Sequence, residues 1–274
     1  MKDRANKRTL FILFILFAIM AHSRELDIIK KSGELRVCTA GSAYEYYEKM
    51  ALVFAKHLEV KAIVTNLPSW DHQFHNEDGK TIKEGVYIPK LMQSGKCDIY
   101  PNDLVIHEWR KKKLALLPIF QTFMVVAVHK DKIEEYKEIV DLKNKHAVLM
   151  ENTTYHTWLE KVNQDFKEEE KVKISFLKTY EAWKSISENK ADFTVANVNG
   201  LFKKTKTIAK NIRVAFKISD PSDIGWAFNP MDEKLINNAN AFIVTQQKKD
   251  SEFDKIWANE GLSLSEYMLM VSMY

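Results

Sequence analysis

The 274-residue chain lacks most of the features that announce a particular chemistry. It contains no Gly-x-Ser-x-Gly nucleophile elbow, no phosphate-binding loop and no dinucleotide fingerprint, so the usual sequence signals for those reactions are missing. Cysteine is nearly absent: only Cys38 and Cys97 occur. An oxidising compartment would permit a disulfide between them. On neighbouring parallel strands, however, Cys38 falls late in its strand and Cys97 before its own. That offset favours two buried thiols, with a disulfide as the minority reading. A clustered excess of positive charge is also missing. The 41 basic and 37 acidic residues give a formal charge of +4, and residues 1–23 hold four of the former and one of the latter. Without that segment the charge is close to +1, which argues against nucleic acid as a partner. The basic runs Arg110 to Lys113 and Lys203 to Lys206 read as solvated faces.

No apolar run reaches the roughly 20 residues that a membrane-spanning helix needs. What is present is a shorter stretch, Leu10 to Met20, preceded by Lys2, Arg4, Lys7 and Arg8 and followed by Ala21-His22-Ser23. This reads as a secretory signal peptide over residues 1–23, a retained anchor being the lesser alternative. No cysteine follows the run, so nothing suggests a lipid-modified N-terminus. The expected product is a soluble chain in an exported compartment, long enough for two lobes with separate cores.

From Leu26 onward, strand and helix patterns alternate. Leu35 to Thr39 and Val60 to Val64 read as strands around a helix from Met50 to Leu58, and a further strand opens at Asp98. Phe123 to Val128 reads as a buried strand. A second alternating unit follows: strand His146 to Met150, helix Thr154 to Val162, strand Lys173 to Phe176, helix Tyr180 to Ser187 and strand Asp192 to Ala196. The βαβ order implies parallel sheets covered by helices, an α/β fold. Ser94-Gly95-Lys96-Cys97-Asp98-Ile99 is echoed by Glu188-Asn189-Lys190-Ala191-Asp192-Phe193, each a helix stop, a lysine and an aspartate that opens a strand. The C-terminal strand and two helices after Ser222 are too small to bury a core of their own and should complete the first lobe.

Ligands of such sheets bind beyond the carboxyl ends of the strands, here Thr39 to Tyr47 and Asn102 to Arg110. Within the second stretch, Asn102 and Asp103 end a strand and Arg110 lies near a helix start. An arginine fork there can grip a carboxylate with two parallel hydrogen bonds, or can simply begin the basic run. Tyr44, Tyr46, Tyr47, Trp109, Tyr155 and Trp226 are aromatic candidates for a cleft, with Tyr47 and Trp226 the more structural. His72 and His75, with Asp71, Glu77 and Asp78, have neither a cysteine nor a third histidine at ligand spacing. The segment reads as a polar loop, and no metal or cofactor is expected.

These residues together resemble the extracellular solute-binding proteins of family 3, over nearly the whole chain after residue 23. The marks are Leu26 to Val37, Trp70, Ser94 to Asp98 with Arg110 twelve residues after the aspartate, Asp141 to Lys145, Asn152-Thr153-Thr154 and Lys190 to Asp192. Within that family, Tyr46-Tyr47-Glu48 and Ile224-Gly225-Trp226 are most similar to the solute-binding domain of membrane-bound lytic transglycosylases, without the catalytic domain that would follow it.

The resemblance implies a two-lobed periplasmic-binding-protein type II fold with two crossover hinge strands. Lobe 1 would comprise residues 24–122 and 222–274, and lobe 2 residues 123–221. It implies Arg110 as the carboxylate clamp, with Asn152, Thr153 and Thr154 gripping the same carboxylate from the second lobe, and Tyr44 or Tyr46 as the aromatic of the first cleft loop. The aspartate that usually pairs with a ligand ammonium is Asn197 here, which weakens the case for an ordinary α-amino acid. A glycine hairpin before the first helix is missing, and Asp71 to Val86 is an added segment.

The implied function is capture of a small carboxylate-bearing metabolite, an amino acid or a relative, by a monomer that delivers it to an ABC-transporter permease. Two alternatives share the fold: a sensory or accessory binding protein, and a cyclohexadienyl-dehydratase-like enzyme with Glu151 or Glu108 as positional candidates for its acid.

Overall fold

In a computed structural model, the structure describes residues 24–273 apart from 42, 69, 74–88, 152 and 205–208. The signal-peptide reading of residues 1–23, Asn152 and most of the Asp71–Val86 segment therefore lie outside the described residues. In chain order, α1 (Leu26–Ser32) leads into β1 (Glu34–Thr39), α2 (Tyr44–His57), β2 (Lys61–Asn66), the short α3 (Lys90–Gln93), β3 (Ile99–Val105), the short α4 (Glu108–Lys111) and β4 (Ala115–Thr122). Then follow β5 (Met124–His129), β6 (His146–Leu149), α5 (Thr154–Gln164), β7 (Lys173–Phe176), α6 (Thr179–Ser187), β8 (Phe193–Asn197), α7 (Val198–Lys204) and β9 (Ile212–Lys217). The chain closes with β10 (Ser222–Phe228), α8 (Glu233–Gln246), α9 (Glu252–Glu260) and α10 (Leu264–Val271).

Two five-stranded mixed sheets result, ordered β2-β1-β3-β10-β4 and β7-β6-β8-β5-β9. The chain passes from the first to the second at Phe123, between β4 and β5, and returns between β9 and β10. The orders match position for position, with three parallel strands followed by an antiparallel pair in each sheet.

The short sequence echo marks this repetition at atomic level. Asp98 accepts the Arg36 amide at 2.7 Å and returns its own amide to the Arg36 carbonyl at 2.8 Å. Asp192 does the same with His146, at 2.8 and 2.9 Å. Each aspartate also pairs with a cation at 3.0 Å, Arg24 for Asp98 and Lys132 for Asp192. The helix stops before them, Gly95 and Asn189, both take left-handed backbone, at φ +66° and +56°. Their electrostatics diverge because their burial does. Burial pushes the Asp98 carboxyl up to about 6 despite the Arg36 amide and the Arg24 charge. At the more exposed Asp192, the His146 amide and Lys132 outweigh burial and hold the carboxyl below its ordinary value.

The thiol reading of the cysteines is corrected. Cys38 and Cys97 form a disulfide, with Cα atoms 5.6 Å apart. The offset argument failed because the chain ahead of β3 does not continue the strand line. The Cys97 amide donates to the Leu91 carbonyl of α3, so the turn folds Cys97 back over β1. The bridge sits in a buried cluster with Met92, Tyr100, Leu104 and Leu114.

The largest core packs α2 and the C-terminal helices on the first sheet. Trp226 of β10 meets Phe54 and Phe253, while Phe120 meets Trp257 and Tyr267 edge-on. Two further clusters cover the faces of the second sheet. Val125 and Val198, from the second sheet's side, belong to the first core, so the two halves are joined by apolar packing as well as by chain crossings.

Candidate functional site

β3 is the element that builds the junction between the lobes, and it is irregular there. Gly225 of β10 pairs with Leu104 and Ala227 pairs with Tyr100, so Trp226 alone stands against Pro101, Asn102 and Asp103. Pro101 has no amide to give a ladder, and Asp103 adopts φ +39°, a region few residues with a Cβ enter. Such a bulge re-aims neighbouring side chains.

Asn102 turns inward. It is fully buried, accepts the Ala40 amide at 3.1 Å, and donates to the Cys38 carbonyl and to Gln73 Oε1, each at 3.0 Å. It ties the end of β1 to the Trp70–Gln73 turn, so its polar atoms serve the lobe itself. Asp103 turns to the seam. Its carboxylate accepts the Tyr47 hydroxyl of α2 and lies 3.5 Å from Asn199 Nδ2, just beyond β8 in the other lobe. Asn199 Oδ1 in turn accepts the hydroxyl of Thr122, the last residue of β4, at 2.9 Å. Burial and the Asp103 charge both push the Tyr47 hydroxyl far above its ordinary pKa, so it stays a donor. On the other side, the Tyr155 hydroxyl accepts the Asn197 amide at 3.2 Å, and burial likewise keeps it protonated. Tyr47, Asp103, Asn199 and Thr122 thus form a buried polar group between the carboxyl ends of β3 and β8, with Tyr155 and Asn197 beside it.

Arg110 lies in the four-residue α4, past the end of β3, and is half-buried. Its Nη1 donates to the Val105 carbonyl at 2.7 Å, and the guanidinium lies 4.9 Å from the centre of the Trp109 ring. Both contacts fix the direction of the fork. In the other lobe, Thr153 caps α5 past the end of β6. Its hydroxyl accepts the His156 amide at 3.3 Å and donates to the Met150 carbonyl at 2.7 Å, and Thr154 is exposed in the first turn.

Of the two aromatic candidates, Tyr44 is half-buried at the first turn of α2, with its hydroxyl donating to Glu45 at 3.3 Å. Tyr46 is a core residue, edge-on to Tyr47 and to Trp257. The structure therefore brings Asp103 and Asn197 to one interlobe seam, leaves Arg110 and Thr153 on separate strand ends, and puts Asn102 and Tyr46 in the interior. Thr122 and Asn199 were not read from the sequence. No local signal marks them, because the Thr122–Asn199 and Asp103–Asn199 contacts join residues 77 and 96 apart in the chain.

Among the described residues no group of three or more histidine, cysteine or acidic side chains is placed to hold a metal, and no helix is long and apolar enough to cross a membrane.

No family profile matches the chain. It is 24% identical over 254 residues to membrane-bound lytic murein transglycosylase F of Saccharophagus degradans, covering 85% of this chain and 47% of that protein. It is 19% identical over 252 residues to the same enzyme of Alcanivorax borkumensis, covering 92% and 53%. The chain thus spans about half the length of the curated relatives it matches. Among solved structures, an ancestral amino acid-binding protein described as a precursor of cyclohexadienyl dehydratase superposes with a TM-score of 0.65 at 22% identity, covering 86% of this chain and 99% of that one. A cysteine-binding protein from Campylobacter jejuni gives 0.59 at 18% identity, covering 86% and 90%. The chain is therefore similar along most of its length to membrane-bound lytic murein transglycosylase F, and its fold is the two-lobed fold of the family 3 solute-binding proteins.

Proposed function

We propose that this protein binds a small carboxylate-bearing solute between its two lobes, residues 24–122 with 222–274 and residues 123–221, and signals occupancy by closing on it. The observation that carries this reading is the meeting of the carboxyl ends of β3 and β8 at the Asp103, Asn199 and Thr122 seam. Open α/β sheets bind ligands beyond those strand ends, and here two sheets present them to each other. Arg110 supplies a directed fork for the carboxylate from one lobe. The Thr153-Thr154 start of α5 supplies amide and hydroxyl donors from the other, where the helix dipole also favours an anion. Among the described residues the chain crosses between the sheets at two places, around Phe123 and at residues 218–221, which suits hinge closure.

The role is binding without turnover. Glu108, one positional candidate for a catalytic acid, is exposed and held below the ordinary carboxylate range by Lys111, so it is ionised and a poor proton donor. Glu151 is exposed. In this reading the protein works in the periplasm as a monomer, and the closed form is what an ABC-transporter permease recognises. The curated relatives favour a second reading of the partner, in which the closed form reports a solute to cell-wall machinery instead.

A thermal-shift screen of residues 24–274 against amino acids, dicarboxylates and muropeptides tests the proposal. A solute at one hundred times its dissociation constant stabilises by about 2.7 kcal/mol. A solute that binds Arg110→Ala as well as it binds the unaltered protein would refute the clamp.

A further inference from the structure

The internal repeat shows which side chains the architecture does not itself require. In the first sheet β1 and β2 end side by side, Thr39 beside Asn66, and in the second β6 and β7 end in the same way, Leu149 beside Phe176. These matching positions are filled differently. Asn66 is an exposed polar residue, whereas Phe176 is 44% exposed. The residue that follows the inner strand is a buried Ala40 in one lobe and a 40% exposed Met150 in the other. Tyr180, in the first turn of α6, is 55% exposed at the same end of the second sheet. Exposed apolar side chains scattered singly need no explanation. Three at the ends of adjacent elements, two of them where the repeat has a small or polar residue, mark a contact site.

Two of the three are tied to the start of α5. The Met150 carbonyl accepts the Thr153 hydroxyl at 2.7 Å, and that hydroxyl accepts the His156 amide at 3.3 Å. The His156 ring in turn stands edge-on to Phe176, with centroids 4.7 Å apart. A carboxylate held at Thr153 and Thr154 therefore has an apolar wall beside it, on the β7 side of β6 and away from the β8 seam. Resting on the reading that the cleft captures a carboxylate solute, we infer that Met150, Phe176 and Tyr180 form an apolar subsite for a hydrocarbon portion of that solute, an alkyl chain or an aromatic ring. The solute is then an amphiphilic acid that extends from the start of α5 over the ends of β6 and β7. Each methylene buried against this wall strengthens binding by up to roughly fourfold.

The test titrates straight-chain acids from butanoate to octanoate, and 3-phenylpropionate beside 3-phenylpropanamide, into the unaltered protein and into Phe176→Asn, which installs the residue of the matching position in the other lobe. Affinity should rise by at least roughly tenfold from butanoate to octanoate. Phe176→Asn should lose most of that rise while binding butanoate unchanged. In protein with isotope-labelled methionine methyls, octanoate should shift the Met150 signal, identified by its loss in Met150→Leu. Affinity independent of chain length overturns the inference, as does an unmoved Met150 signal, an undiminished rise in Phe176→Asn, or the failure of every probe to bind. The chain-length series needs no variant, so it stands even if Phe176→Asn does not fold. Carboxylate capture fails separately, if 3-phenylpropanamide binds as tightly as 3-phenylpropionate while the dependence on chain length remains.

Discussion

Gly225 sits where three strands meet, and replacing it by alanine is the sharpest structural perturbation available. It lies in β10 between β3 and β4, beside the register shift that separates Ile224 from Gly225. A Cβ at this position would stand 1.8 Å from the Leu117 carbonyl oxygen, 2.6 Å from the Leu117 carbonyl carbon and 3.0 Å from Pro118 Cα. All three are backbone atoms of β4, so no side chain can rotate away. Relief requires β10 or β4 to shift, and with them the neighbouring Trp226–Leu117 pairing at the centre of the largest core. Overpacking of a well-filled interior costs about 1 to 3 kcal/mol, and a clash with backbone belongs at the upper end, about 3 kcal/mol. For a chain of this size each kcal/mol lowers Tm by roughly 2 to 4 °C, so Gly225→Ala should melt roughly 6 to 12 °C below the unaltered protein. Gly200→Ala is the control. It lies within α7 with open space around the added methyl, and it should be neutral or stabilise by up to about 1 kcal/mol. Thermal melting and urea unfolding of both variants measure the difference. If Gly225→Ala melts within about 2 °C of the unaltered protein, the close approach of β10 to β4 is wrong.

Two more outcomes follow from the first lobe. The Cys38–Cys97 bridge closes a loop of 59 residues, so Cys38→Ser with Cys97→Ser should lower stability by about 4 kcal/mol, read from urea midpoints with and without dithiothreitol. A reduced protein as stable as the oxidised one would contradict this. Asp98 has a folded pKa raised to about 6, so the folded state holds a proton that the unfolded chain has released between about pH 4 and pH 6. Its contribution is fully present below pH 4 and falls by up to about 3 kcal/mol as pH rises through 6. Asp98→Asn should therefore gain on the unaltered protein between pH 4 and pH 7. A difference that stays constant over that range would count against the burial of this carboxylate. Asp192 is held low, so its contribution has the opposite sign: present above pH 4 and lost as the pH falls.

The parts of the fold legible in the sequence were those written in local signals. Alternating apolar runs located the strands, and the paired stops at Gly95 and Asn189, each followed by an aspartate, located the internal repeat. Those signals are local because turn chemistry and strand periodicity act over a few residues. The features that escaped depend on three-dimensional detours. The disulfide needs the turn after α3 to fold back over β1, which spacing along a straight strand cannot show. Asn102 and Asp103 look like adjacent members of one polar loop, yet a bulge opposite Trp226 sends them to different places. Tyr44 and Tyr46 are two residues apart on a helix, so they face different sides, and only Tyr46 reaches Trp257. Asn199 was invisible because its partners, Thr122 and Asp103, lie 77 and 96 residues away.

Carboxylate capture is tested most directly by calorimetric titration of the solute that gives the largest thermal shift into the unaltered protein and into Arg110→Ala. A charge-assisted hydrogen-bonded contact is worth about 1.5 to 3 kcal/mol, so Arg110→Ala should bind roughly tenfold to a hundredfold more weakly while melting normally without solute. Equal affinity in a well-folded Arg110→Ala protein would contradict it.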